Sequence, residues 1–203
     1  MDTPRIDPRV ERSRAAVLEA ARDTVREHGY RGLTIEEVSE RSGVAKTTIY
    51  RHWSDRASLL EAVFESLAGA PEVPATADLR ADITVAMHAL AAALRTSTWA
   101  CAMPSLIEAA ERDEEFRPMA RAFVERRRLP MRARIAAAVG EGHLPAGTDP
   151  DIVVAMLTGP LFYRRFITRQ PVTTRVADAV LDAVLGGLIP GGPPNRPPGK
   201  PFG

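Results

Sequence analysis

One twenty-residue run, TIEEVSERSGVAKTTIYRHW (34–53), restricts the fold more than any other part of the chain. It opens on a helix start. Thr34 caps a helix over 35–42, and Glu37, three residues on, reaches back to the Thr34 amide, which is the pattern of a capping box. Leu33 before the cap and Val38 inside the helix staple its entry. Gly43 then stops the helix by adopting the left-handed conformation that a glycine enters without steric cost. A second short helix follows over 46–53. Isolated helices under about 12–15 residues rarely hold in water, so neither of these stands without neighbours. Two such helices joined through Gly43 and Val44 read as a helix-turn-helix.

The second helix has two distinct faces. At 100° per residue Ile49 and Trp53 share one side, and Lys46, Thr47, Tyr50 and Arg51 cluster on the other. Burying Ile49 and Trp53, with Val38 and Val44 nearby, holds the helix in place. The opposite side then offers an ammonium, a hydroxyl, a phenol and a guanidinium. A DNA major groove offers complementary acceptors on its base edges and phosphate rims. Thr34 and the helix start it caps, and Asp55–Arg56 at the next helix start, present backbone amides of the kind that bind anions. His52 and Arg56 lie within reach of phosphates too. Taken singly, Lys46, Arg51 and Arg56 read equally as solvated surface charges. On a helix-turn-helix frame the set reads as a DNA-contacting face. Glu36, Glu37 and Glu40, on the preceding helix, are expected to point elsewhere.

Bulk charge plays no part in that reading. The formal net charge is +1, and the first 56 residues carry 11 basic against 10 acidic side chains. The composition, 45% hydrophobic and only 5% aromatic, is that of an all-helical protein. No run of 18 apolar residues exists to span a membrane. The charged N-terminus has no apolar segment of the kind a secretory signal needs. A single cysteine, Cys101, rules out an internal disulfide and suits a cytoplasmic setting. Cys101 has no histidine in a recognisable motif, His143 sits in a turn, and the histidines lack metal spacing. No catalytic, cofactor-binding or metal-binding residue is assigned, and an enzyme is not expected.

Helical periodicity organises the remainder. A helix over 10–28 ends at Gly29, and Asp55 caps a helix over 56–68. Pro71 and Pro74 mark a boundary. Beyond it the pattern predicts helices over 77–96, 101–112, 114–140 (bent at Pro130), 149–169 and 173–187. The fold class is all-α with about nine helices. A flexible arm (1–9) precedes a three-helix DNA-binding domain with a helix-turn-helix (10–69). A larger helical-bundle regulatory domain (75–189) and a disordered proline- and glycine-rich tail (190–203) follow.

The stretch GYRGLTIEEVSERSGVAKTTIYRHWSDRASLLEAVF (29–64) resembles the TetR family of bacterial transcriptional regulators, and GPLFYRRFITRQPV (159–172) resembles one subtype of its C-terminal domain. The resemblance implies a sequence-specific DNA-binding regulator, a repressor released by a small-molecule effector. The alternative is a constitutive or partner-dependent regulator without such a ligand. By position, Thr34 and Arg56 become phosphate anchors, Lys46, Thr47 and Tyr50 the groove-facing set, and Thr48 and His52 contacts to the DNA backbone. Ala45 departs from the family pattern and leaves the recognition helix without a side-chain cap; Arg56 replaces the usual lysine.

The resemblance also implies a homodimer, through the helices near 149–169 and 173–187, on a palindromic operator in double-stranded DNA. Val153, Met156, Leu157, Phe162 and Ile167 give the first of these an apolar stripe, and Val176, Val180, Val184 and Leu188 give one to the second. Internal core is the other reading of both stripes. A pocket for an unknown small apolar ligand would lie between 114–140 and the helices 77–96 and 101–112. Trp99, Met87, Met103, Leu106, Phe116 and Phe123 could line it, although plain core is preferred for each. Arg128, Arg134 and His88 are the candidates for a polar ligand group, with solvent exposure preferred.

Overall fold

Local capping chemistry sets the element boundaries in the computed structural model, which describes residues 8–68 and 72–188. The helices are α1 (Pro8–Gly32), α2 (Ile35–Ser42), α3 (Lys46–His52), α4 (Arg56–Ala68), α5 (Leu79–Thr96), α6 (Thr98–Arg112), α7 (Arg117–Gly140), α8 (Pro150–Phe162) and α9 (Thr174–Leu188), with a π-turn at Tyr163–Ile167. The described residues contain no strand. The all-α class and the helix count match the expectation from sequence.

Side chains at the helix starts explain where several helices begin. The Thr34 hydroxyl accepts from the Glu37 amide at 3.1 Å. The Asp55 carboxylate accepts from the Ser58 amide at 2.7 Å, and Asp78 and Asp149 do the same for α5 and α8. Pro150 occupies the first position of α8, where a missing N–H costs nothing. Gly43 ends α2 at φ 68°. Only half of the expected capping box forms. The Glu37 carboxylate accepts from Arg41 Nε at 2.5 Å, and the Thr34 amide donates to Gly32 O.

Several boundaries differ from expectation: α6 starts at Thr98 rather than 101 and α7 at Arg117 rather than 114, and three further differences change the reading of the chain. Pro8 and Arg9 already belong to α1; the rest of the expected arm, and the expected tail at 190–203, lie outside the described residues. Gly29 does not end α1 but breaks it, at φ 67°, after which the chain regains helical hydrogen bonds to Gly32. This break turns Tyr30 inward, edge-on to Phe116 at 5.9 Å. Finally, 149–169 is not one helix. Pro160 has no N–H to donate and crowds the preceding turn, and the ladder widens three residues later into the π-turn.

The described residues form two compact units, and the chain crosses between them three times. The first holds α1–α4 with α6 and the first part of α7. Its core is built on Val17, Val25, Leu33, Leu60 and Phe64, with Phe123 packed 5.8 Å from Phe64. The expected division placed everything after residue 75 in one regulatory domain. Instead α6 packs on α1 and α4, because Trp99, Met103, Leu106 and Ala109 form an apolar stripe that is buried there. The second unit holds α5, the rest of α7, α8 and α9. A buried ion pair ties it together: Arg134 Nε donates to Asp82 at 2.7 Å, and the Thr76 amide and hydroxyl also bond to Asp82. The expected exposure of Arg134 is thus overturned, since its side chain is 4% exposed.

Candidate nucleic-acid interface

The geometry of α3 follows from which of its residues find a core. Ile49 is fully buried and Trp53, the residue that ends the helix, is 5% exposed. One turn apart, they anchor a seven-residue helix that could not persist alone. The connecting turn is fastened from both ends. The Ser39 hydroxyl donates to Val44 O at 2.8 Å, and the Val44 amide donates to the Ser42 hydroxyl at 3.2 Å. Ala45 supplies no cap hydrogen bond. The helix therefore depends on its buried face and its turn rather than on its own ends.

With that face fixed, Lys46, Thr47 and Tyr50 stand outward, all exposed, as does Arg51. Thr48 and His52 are half-buried on the flank, where the Thr48 hydroxyl accepts from Arg51 at 3.2 Å. Thr34 is exposed at the start of α2. The structure thus gathers Lys46, Thr47 and Tyr50 on one outer face, flanked by Thr48 and His52.

Three details depart from the sequence reading. Glu36 does not point elsewhere; its carboxylate accepts from the Lys46 ammonium at 2.7 Å. That hydrogen bond, with help from its own backbone N–H, holds the Glu36 carboxyl below the usual carboxylate value. At the start of α4 the Asp55 carboxylate already accepts from the Ser58 amide. Bonds from the Ser58 amide and the Ser54 hydroxyl keep the Asp55 carboxyl low as well.

The third departure is Arg56. Its guanidinium turns inward and donates to Leu33 O and Tyr30 O, both at 2.5 Å. It lies over the Phe116 ring at 4.8 Å and the Tyr30 ring at 5.6 Å. Such a fork with a stacking plane is chemistry that lysine lacks. In this structure Arg56 thus braces the end of α1, the start of α4 and the turn before α7. Arginine instead of lysine at this position was the available signal in the sequence. Without the two carbonyls in view, it read only as a preserved charge.

Comparison with known proteins fits this geometry. Residues 17–63 match the family described as bacterial regulatory proteins, tetR family. Residues 73–184 match the tetracyclin repressor-like C-terminal domain. The chain belongs to the TetR family. It is 33% identical over 174 residues to the uncharacterized HTH-type transcriptional regulator YdeS of Bacillus subtilis (strain 168), covering 85% of this chain and 87% of that one. It is 32% identical over 154 residues to the DNA-binding transcriptional repressor TetR of Mycobacteroides abscessus, covering 71% and 79%. Among solved structures it resembles the TetR family transcription regulator SCO0332, with a TM-score of 0.69 and 28% identity, over 88% of this chain and 99% of that one. The protein is a DNA-binding, helix-turn-helix transcriptional regulator. No helix among its described residues is long and apolar enough to cross a membrane.

Proposed function

We propose that this TetR-family protein is a cytoplasmic repressor that binds a palindromic operator as a homodimer and leaves it when a small apolar molecule binds. The observation that carries the DNA-reading part is the outward face of α3. Lys46, Thr47 and Tyr50 are exposed on a helix whose position is fixed by Ile49 and Trp53. In a dimer the two copies of α3 would enter successive major grooves about 34–36 Å apart. Lys46, Thr47 and Tyr50 face the bases, and Thr34, Thr48 and His52 contact phosphates.

The dimer reading draws on α8. Val153, Val154, Leu157 and Leu161 face the core of their unit, yet Ile152 and Met156 are exposed on the other side, as are Tyr163 and Ile167 in the π-turn. A helix apolar on both sides is buried on both sides, and a second copy is the cover that family membership suggests. The outward side of α9 is lined by small residues, among them Ala179, Ala183 and Gly186, which permit close approach. The sequence stripe on α9 shifts accordingly: Val176, Val180 and Leu188 are half-buried, and of the four expected residues only Val184 is buried, in the core with Ala177, Leu181 and Leu185.

Repression is supported by the name of the Mycobacteroides abscessus relative. Effector release requires a molecule that binds the state unable to span the operator more tightly than the state that spans it. Operator binding tests the first part. Lys46→Ala and Tyr50→Ala weaken it by tenfold or more while melting temperature and dimer stay at wild type, each lost base contact being worth about 1–3 kcal/mol. Unchanged binding by both variants refutes the assigned face. A thermal-shift screen of small apolar compounds tests the second part, because an effector stabilises the state it binds. Stabilising compounds that leave the operator complex intact favour a constitutive regulator.

A further inference from the structure

Lys46 is not free on its face of α3. Its ammonium donates to Glu36 Oε1 at 2.7 Å, which links α2 to α3 across the turn at Gly43. Both side chains are largely exposed, 49% for Lys46 and 66% for Glu36. An ion pair so open to water contributes little to stability, so fold maintenance is a poor account of it. The stoichiometry of its hydrogen bonds suggests another. An ammonium has three N–H donors, and Glu36 takes one. A carboxylate bonded to one lysine keeps acceptor capacity on its oxygens. The pair therefore shows two donors beside an acceptor. In the major groove a G·C base pair shows the complement: O6 and N7 acceptors on guanine, and the N4 amino donor on cytosine.

We propose that Glu36 and Lys46 act as one unit that reads a G·C base pair, Lys46 donating to guanine and Glu36 accepting from the cytosine amino group. This rests on the reading of α3 as the DNA-facing helix. The arrangement has a second consequence. A carboxylate beside the ammonium repels phosphate oxygens, so the pair weakens backbone contact by Lys46 and lowers affinity for any duplex that lacks the G·C pair. Glu36 thereby favours discrimination over affinity, the usual role of a repulsive element in a specific site.

The test selects operators from random duplex DNA with the full-length wild-type protein and with Glu36→Gln, Glu36→Ala, Lys46→Ala and Glu36→Ala/Lys46→Ala. The selected operator is then titrated against a scrambled duplex. For Glu36→Ala and Lys46→Ala the consensus is expected to relax at the same G·C position, and the double variant should discriminate no worse than Lys46→Ala. Glu36→Gln should bind scrambled DNA more tightly, with a salt dependence steeper by about one phosphate contact. The operator-to-scrambled ratio should fall about tenfold or more. A wild-type consensus and ratio for both Glu36 variants, with Lys46→Ala still altered, overturns the proposal alone. So does relaxation at two unrelated positions. Wild-type binding by all the variants and by Tyr50→Ala overturns the DNA-facing reading as well. Melting temperatures report folding throughout and should not move.

Discussion

Arg56 shows how much one side chain's surroundings change its meaning. By sequence position it is a cation at a helix start; in the structure it is a brace whose guanidinium satisfies Tyr30 O and Leu33 O and covers Phe116. Arg56→Ala is expected to cost about 2 kcal/mol, because hydrogen bonds to charged groups contribute about 1.5–3 kcal/mol each and part of this site is open to water. Urea unfolding should show the lowered midpoint. Arg56→Lys should recover little of it, and neither variant should lower the salt slope of operator binding, as loss of a phosphate contact would. Asp82 behaves differently again. Its burial pushes the carboxyl up, but bonds from Arg134 and Thr76 outweigh this and leave it below its ordinary value. A carboxyl lowered in the folded state stabilises above the unfolded value, and that contribution is lost as pH falls through the folded one. Asp82→Asn should therefore be less stable than wild type near neutral pH, with the gap closing at acid pH. Urea midpoints across a pH series measure this.

Among the elements, α3 is the one most dependent on others. It is shorter than a stable isolated helix and lacks a side-chain cap. Ile49→Ala should cost about 2–5 kcal/mol, the range for truncating a fully buried aliphatic side chain, and should abolish operator binding by displacing the reading face. The opposite change is available one residue before the helix. Ala45→Ser, which adds the missing cap, should raise stability by about 0.5–1 kcal/mol, read as a higher urea midpoint. The boundaries of α2 and α4 were legible because short-range chemistry sets them: a threonine or aspartate three residues ahead of a free amide, and a glycine able to take positive φ. The π-turn was not. Pro160 in the sequence implies a bent helix axis with one freed carbonyl, but the widening into a π-turn depends on what the following turn packs against.

For the whole molecule, the exposed apolar residues of α8 and the π-turn are the feature that calls for a partner. Met156→Glu or Ile167→Glu should convert the proposed dimer to monomer in sedimentation while helical content stays at wild type. Affinity for a two-half-site operator should fall by about two orders of magnitude or more, as expected when two linked binding events become independent. The two-unit division belongs to this scale as well. Proline spacing suggests a boundary near residue 70, and the first of the three crossings between the compact units falls close to it. The later return of α6 to the first unit had no marker in the sequence. An amphipathic helix shows that it has an apolar stripe, not which partner covers it.

What the sequence determined by itself was therefore local. Capping residues, turn glycines and 3.6-residue periodicity act within a few positions, and they defined the helices, the inward Ile49 and Trp53, and the outward Lys46, Thr47 and Tyr50. Tertiary structure alone decided the partners of long polar side chains: Arg56 on two carbonyls, Glu36 on Lys46, and Arg134 on Asp82. These side chains reach several ångströms from their backbones, and the acceptors they find are brought close by segments 10 to 52 residues away along the chain.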